Sequence, residues 1–94
     1  GYIELKNEGE GAGVHFVTGD KLLLKYYSFE KSHQAMVRFL DKDGRLVKRI
    51  KQQINYGDNY LSFPLERGFQ PGQVYHIEID NRGHDKLSAA FSIK

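Results

Sequence analysis

Residues Ala35 to Ile50, AMVRFLDKDGRLVKRI, carry strand, turn and strand signals in direct succession. Ala35, Val37 and Phe39 alternate with Met36, Arg38 and Leu40. That period-2 pattern belongs to a strand, and its branched and aromatic members suit a pleated surface. Asp41-Lys42-Asp43-Gly44 then turns the chain. An aspartate at the first position of a type I turn accepts hydrogen bonds from the backbone ahead of it, and a glycine at the fourth takes the left-handed conformation of a three-residue hairpin loop. The expected register sets Asp41 opposite Arg45, Leu40 opposite Leu46 and Phe39 opposite Val47. A shift of one residue would exchange the two faces of the second strand.

Working outward, alternation recurs along the chain. Tyr2 to Lys6 places Ile3 and Leu5 on one side, and Val14 to Val17 reads as a second short strand before a Thr18-Gly19-Asp20 turn. Lys21 to Phe29, KLLLKYYSF, is dense enough in leucine and tyrosine to read as a central strand covered on both faces, with Leu22, Leu24 and Tyr26 sharing one of them. Tyr60 to Leu65 puts Leu61, Phe63 and Leu65 inside, and Pro64, which has no N–H for a ladder, marks an edge strand or its end. Pro71-Gly72 turns the chain into Val74 to Asp80, with Tyr75, Ile77 and Ile79 inward. The polar loop Asp80 to Asp85 leads to a last strand with Leu87, Ala89, Phe91 and Ile93 on one face. Seven to eight short strands, frequent turns and no helical apolar stripe predict an all-β, antiparallel β-sandwich in a single domain over residues 1–94.

Composition narrows the function. A chain of 94 residues holds one modest core. Without cysteine it has no disulfide framework, no thiolate metal site and no cysteine nucleophile. Fourteen basic against twelve acidic residues give +2, far from the footprint of a dedicated nucleic-acid binder. No unbroken apolar run, Leu22-Leu23-Leu24 among them, exceeds three residues, so no membrane insertion by a helix is expected. A start at Gly1 reads as a processed or excised piece.

Chemistry-bearing motifs are weak. The glycines of Asn7 to Gly13 lack the lysine and hydroxyl of a phosphate loop. The four histidines are scattered, with only His76 and His84 near each other in sequence, so no metal site is expected. Asp41-x-Asp43-Gly44 resembles the opening of a calcium loop, but Arg45-Leu46-Val47 supplies no further oxygen ligands. No nucleophile-elbow pattern surrounds Ser28, Ser62 or Ser88, so no enzyme and no cofactor is expected. Two surfaces remain as binding candidates. The ligand contacts would be Tyr26, Tyr27, Tyr56 and Tyr60, of which Tyr26 and Tyr27 must point to opposite faces. The anion contacts would be Arg38, Lys48 and Arg49, within a hairpin that also carries Lys42, Arg45 and Lys51 against Asp41 and Asp43. Alternation divides those charges between faces, which favours a second reading in which they guard an exposed strand edge against pairing with other sheets.

The order Val37-x-Phe39-x-Asp41-x-x-Gly44-x-x-Val47, then Pro71-Gly72-x-x-Tyr75-x-Ile77-x-Ile79, then Phe91-x-Ile93-Lys94 resembles the small immunoglobulin-like sandwiches of bacterial secreted and surface proteins. These include the immunoglobulin-like domain of the flagellar hook-capping protein and the C-terminal sorting domains of type IX secretion substrates. The resemblance covers about residues 20–94. Sorting domains place glycine directly before the tyrosine of the penultimate strand, whereas Gln73 and Val74 intervene here, and residues before 20 have no counterpart. The resemblance therefore implies an extracytoplasmic, non-catalytic accessory module attached to a larger protein, whose partner is a protein or a neighbouring domain of its own chain. A carbohydrate-binding module with an exposed tyrosine platform is the alternative.

Overall fold

The computed structural model describes residues 2–5, 13–66, 68–80 and 87–94, apart from the side chain of Leu5. The sequence readings of residues 7–12 and of the loop holding His84 and Asp85 lie outside the described residues. Eight strands form two sheets, and no helix occurs among the described residues. The strands are β1 (Ile3–Leu5), β2 (Val14–Val17), β3 (Lys21–Ser28), β4 (His33–Leu40), β5 (Leu46–Ile54), β6 (Gly57–Pro64), β7 (Val74–Asp80) and β8 (Leu87–Ile93). One sheet runs β1-β3-β6 and the other β2-β8-β7-β4-β5. A single cluster of buried side chains from both sheets makes the core.

Alternation explains how the core is supplied. Leu22, Leu24 and Tyr26 of β3, Leu61 and Phe63 of β6, Tyr75, Ile77 and Ile79 of β7, and Leu87, Ala89, Phe91 and Ile93 of β8 are all buried. Each such side chain contributes about 1.5–3 kcal/mol when fully removed from water, alanine much less. Phe39 of β4 sits at the centre, edge-on to Phe63 at 5.5 Å, to Phe69 at 5.4 Å and to Phe91 at 6.2 Å between ring centroids. β6 is an edge strand that ends at Pro64, a residue without an N–H that an edge tolerates.

The turn between β4 and β5 forms on the expected residues. The Asp41 carboxylate accepts hydrogen bonds from the N–H groups of Asp43 and Arg45, both at 2.9 Å, and Gly44 has φ of 80°. Leu40 pairs with Leu46 as expected, but Phe39 pairs with Lys48 rather than Val47. A β-bulge at this point makes two residues of β5 oppose one of β4. The slip has a physical reason. Strict alternation from Val47 would expose Ile50 and Ile54, whereas one extra residue lets Val47, Ile50 and Ile54 all pack against the core. As a further consequence Arg38 lies opposite Arg49, not Lys48.

Two more expectations are corrected. The sheets are mixed rather than purely antiparallel, because β1 pairs parallel to β3 and β2 parallel to β8. Both pairs join strands that are not consecutive in the chain, so no tight hairpin dictates their direction. Strand β3 is central in its sheet but covered on one face only. Leu23 and Lys25 are half-buried and Tyr27 is exposed, alternating with fully buried neighbours.

Candidate functional site

The uncovered face of the three-stranded sheet is where the exposed aromatic residues gather. On β3 the outward positions are Lys21, Leu23, Lys25 and Tyr27, and Phe29 follows just beyond the strand. Lys25 stands between Glu4 of β1 and Tyr60 of β6, and Tyr27 stands opposite Asp58. Tyr2 and Tyr56 flank the face from just outside β1 and β6. The backbone thus displays the face on three strands whose opposite sides anchor the core.

Of the four sequence-predicted tyrosines, the structure exposes three on this face and brings two of them, Tyr27 and Tyr56, into contact. Tyr27, Tyr56 and Tyr60 are 39%, 63% and 59% exposed. Tyr26 is 3% exposed, a core residue that cannot meet a ligand, because adjacent strand residues point to opposite sides. Sequence reasoning missed Tyr2 and Phe29, which are 52% and 69% exposed. The signal was present. Phe29 continues the outward phase of Lys25 and Tyr27, and Tyr2 precedes the inward Ile3.

The rings form two groups. Tyr2 and Tyr60 meet edge-on at 5.4 Å with planes 76° apart, and the Lys25 ammonium lies 5.7 Å from the Tyr60 ring centre. Tyr27 lies 4.8 Å from Phe29 at 57° and 6.3 Å from Tyr56 at 66°. Edge-to-face contact suits the positive rim and negative face of aromatic rings, and the rings hold one another in place. A side-chain hydrogen bond with Tyr56, followed by the charge of Tyr56, desolvation and the charge of Asp58, raises the Tyr27 hydroxyl above the ordinary tyrosine range.

Two of the three anion candidates are brought together and the third is not. Arg38 and Arg49 are cross-strand neighbours on the outer face of the five-stranded sheet, whereas Lys48, opposite Phe39, belongs to the inner side. Arg38 also pairs with Glu78 in the ladder and makes an ion pair with Asp80 at 3.5 Å. A polyanion strip over Arg38, Lys48 and Arg49 is thereby divided by geometry and partly neutralised.

The remaining chemistry is accounted for by local structure. The Asp41 carboxylate is used by the turn. The buried Ser28 hydroxyl accepts the Glu30 N–H at 3.1 Å, and the His33 ring meets the Lys31 carbonyl at 2.7 Å. Among the described residues no three metal-ligating side chains converge. A shallow cleft of about 230 Å³ lies beside the hairpin turn, lined by Asp41, Asp43, Gln70 and Tyr75 among others. The Tyr75 hydroxyl there accepts the Gln70 N–H at 2.6 Å, tying the loop before β7 to that strand. No protein-family model, no curated protein and no solved structure matches the chain.

Proposed function

We propose that the chain is a non-catalytic, immunoglobulin-like accessory module of a larger secreted or cell-surface bacterial protein, and that it meets a protein partner or a neighbouring domain through the aromatic face of its three-stranded sheet. The observation that carries the interaction reading is that face: Tyr2, Tyr27, Phe29, Tyr56 and Tyr60 are all exposed on one side of a rigid frame. Isolated exposed apolar residues are ordinary, but two groups of touching rings on one sheet face are a feature of contact surfaces. Tyrosine gives large contact area with only two rotatable side-chain bonds to order, which limits the entropy cost of association.

Two observations support the immunoglobulin-like frame. With β3 to β8 taken as strands B, C, C′, E, F and G, an A-B-E sheet faces a C′-C-F-G sheet, the division used by such sandwiches. Tyr75, near the start of β7 in the F position, bonds through its hydroxyl to backbone five residues upstream, which is the arrangement of a tyrosine corner. The parallel β1–β3 pair departs from that plan. The extracytoplasmic setting rests on the sequence resemblance alone.

A protein surface is favoured over a sugar by ring geometry. A sugar platform needs rings lying in one plane, and the contacts here are tilted by 57° to 76°. The test is a triple variant, Tyr27→Ser, Phe29→Ser and Tyr56→Ser, in the intact parent protein. The proposal expects unchanged folding of the module and loss of its contact with the partner or adjoining domain. Retained contact, or tyrosine fluorescence that responds to oligosaccharides, would contradict it.

A further inference from the structure

The four strands at the sheet edges differ in how they are protected. β1 has three residues and β2 four, too short to template much pairing. β5 has nine, but it carries a bulge and Lys48, Arg49 and Lys51, with Lys48 on the inward side. Short strands, bulges, lysines and inward charges are the recognised guards of free edges. β6 has eight residues and neither lysine nor arginine. Its guards are the single charge of Asp58 and Pro64 at the last position. Among the described residues, no strand pairs with its outer side.

The hydrogen-bonding phase of β6 follows from its register. Leu65 donates its N–H to the Asp20 carbonyl at 2.7 Å, one step beyond the Lys21–Pro64 pair. Antiparallel pairs alternate between hydrogen-bonded and not, so Leu22–Phe63, Leu24–Leu61 and Tyr26–Asn59 are bonded pairs. The N–H and C=O groups of Asp58, Tyr60 and Ser62 therefore point away from β3, to the free edge. Pro64 belongs to the same outward set, where its missing N–H costs the monomer nothing.

We propose that β6 is a self-pairing edge, on which a second copy of this chain docks antiparallel about a two-fold axis at Tyr60. In that register Tyr60 faces its own copy, and Asp58 faces Ser62 in both directions. All three outward residues then sit in bonded pairs that exchange two backbone hydrogen bonds each. The Asp58 carboxylate meets a serine hydroxyl rather than another charge. Registers centred on either of the other two outward residues are worse. Centring on Asp58 opposes two carboxylates, and centring on Ser62 sets Tyr60 against Pro64, which has no donor. The two three-stranded sheets become one of six. A two-fold contact of this kind closes on itself and leaves no growing end. One strand pair is smaller than the ~800 Å² per partner of stable interfaces, so the dimer belongs to the weak, transient class.

This inference stands on the strand edge and does not depend on the aromatic face being a partner surface. The test is amide hydrogen exchange with sedimentation, at about 50 μM and about 1 mM protein, a range chosen for a weak complex. Exchange at Asp58, Tyr60 and Ser62 is expected to slow severalfold at the higher concentration as dimer appears. Ser62→Pro removes an N–H that the monomer ladder does not use and should abolish both effects, and Tyr60→Lys, which opposes two lysines, should do the same should the proline variant fail to fold. Tyr56→Ser, which alters the aromatic face but not the ladder, should leave dimerisation intact. A monomer at both concentrations with unchanged exchange would overturn the proposal, as would protection only on adding an extended peptide. Association lost in Tyr56→Ser but kept in Ser62→Pro would also overturn it.

Discussion

Phe39 stands opposite Lys48, one residue past its expected partner Val47, and this single slip decides which side of β5 joins the core. It makes Ile54 fully buried and leaves Arg49 exposed. Ile54→Ala should therefore lose about 2–5 kcal/mol of stability in denaturant unfolding, the range for large-to-small core changes. Arg49→Ala should stay within about 0.5 kcal/mol of the parent, as surface substitutions do. The reverse pattern would mean the bulge is absent in solution.

Gly44 takes φ of 80°, and a Cβ placed there would meet nothing within 4 Å. Any penalty at this position is thus backbone strain rather than a clash. Gly44→Val should lower stability by about 1–2 kcal/mol, read from the denaturation midpoint at constant slope.

The Tyr75 hydroxyl has one role that its ring does not, the 2.6 Å bond to the Gln70 N–H. The ring itself packs on Phe69 and Phe91 and would do so as phenylalanine. Tyr75→Phe should cost about 0.5–1.5 kcal/mol, the net worth of one hydrogen bond. Exchange of the Gln70 amide should accelerate by more than that of the β7 amides.

The Tyr27 hydroxyl lies beside Tyr56. The hydrogen bond that the Tyr27 hydroxyl donates to Tyr56, and then the charge of Tyr56, desolvation and the charge of Asp58, favour the neutral form of Tyr27 and raise its pKa above the ordinary tyrosine value. A phenol whose folded pKa is raised binds its proton more tightly in the folded state. The associated stability is present below the unfolded pKa and is lost as pH rises through the folded one, in alkaline solution. Ultraviolet titration of Tyr56→Phe should show Tyr27 ionising at lower pH than in the parent.

Much of this architecture was legible because alternation is a local property. The inward sets of β6, β7 and β8, the Asp41 turn, the edge position of β6 and the opposite orientations of Tyr26 and Tyr27 all follow from period two and turn chemistry. What alternation lacks is direction and layer. It could not show that β1 and β2 run parallel to distant partners. Nor could it distinguish a β3 covered on both faces from one whose outward phase, Lys25, Tyr27 and Phe29, remains open, because Leu23, Tyr27 and Phe29 give that phase an apolar cast despite its lysines. The bulge did leave a trace. Val47, Ile50 and Ile54 cannot share one side of an unbroken strand, so the apolar phase must change between the first two.

The central claim is that the outward face of the three-stranded sheet is the surface by which the module meets its partner. Hydroxyl-radical footprinting of the isolated module against the intact parent protein in its native assembly tests this most directly. Oxidation of Tyr2, Tyr27, Phe29, Tyr56 and Tyr60 should fall together in the assembly, while that of Phe16, exposed on the other sheet, should not change. Equal oxidation of the five rings in both samples would contradict the claim.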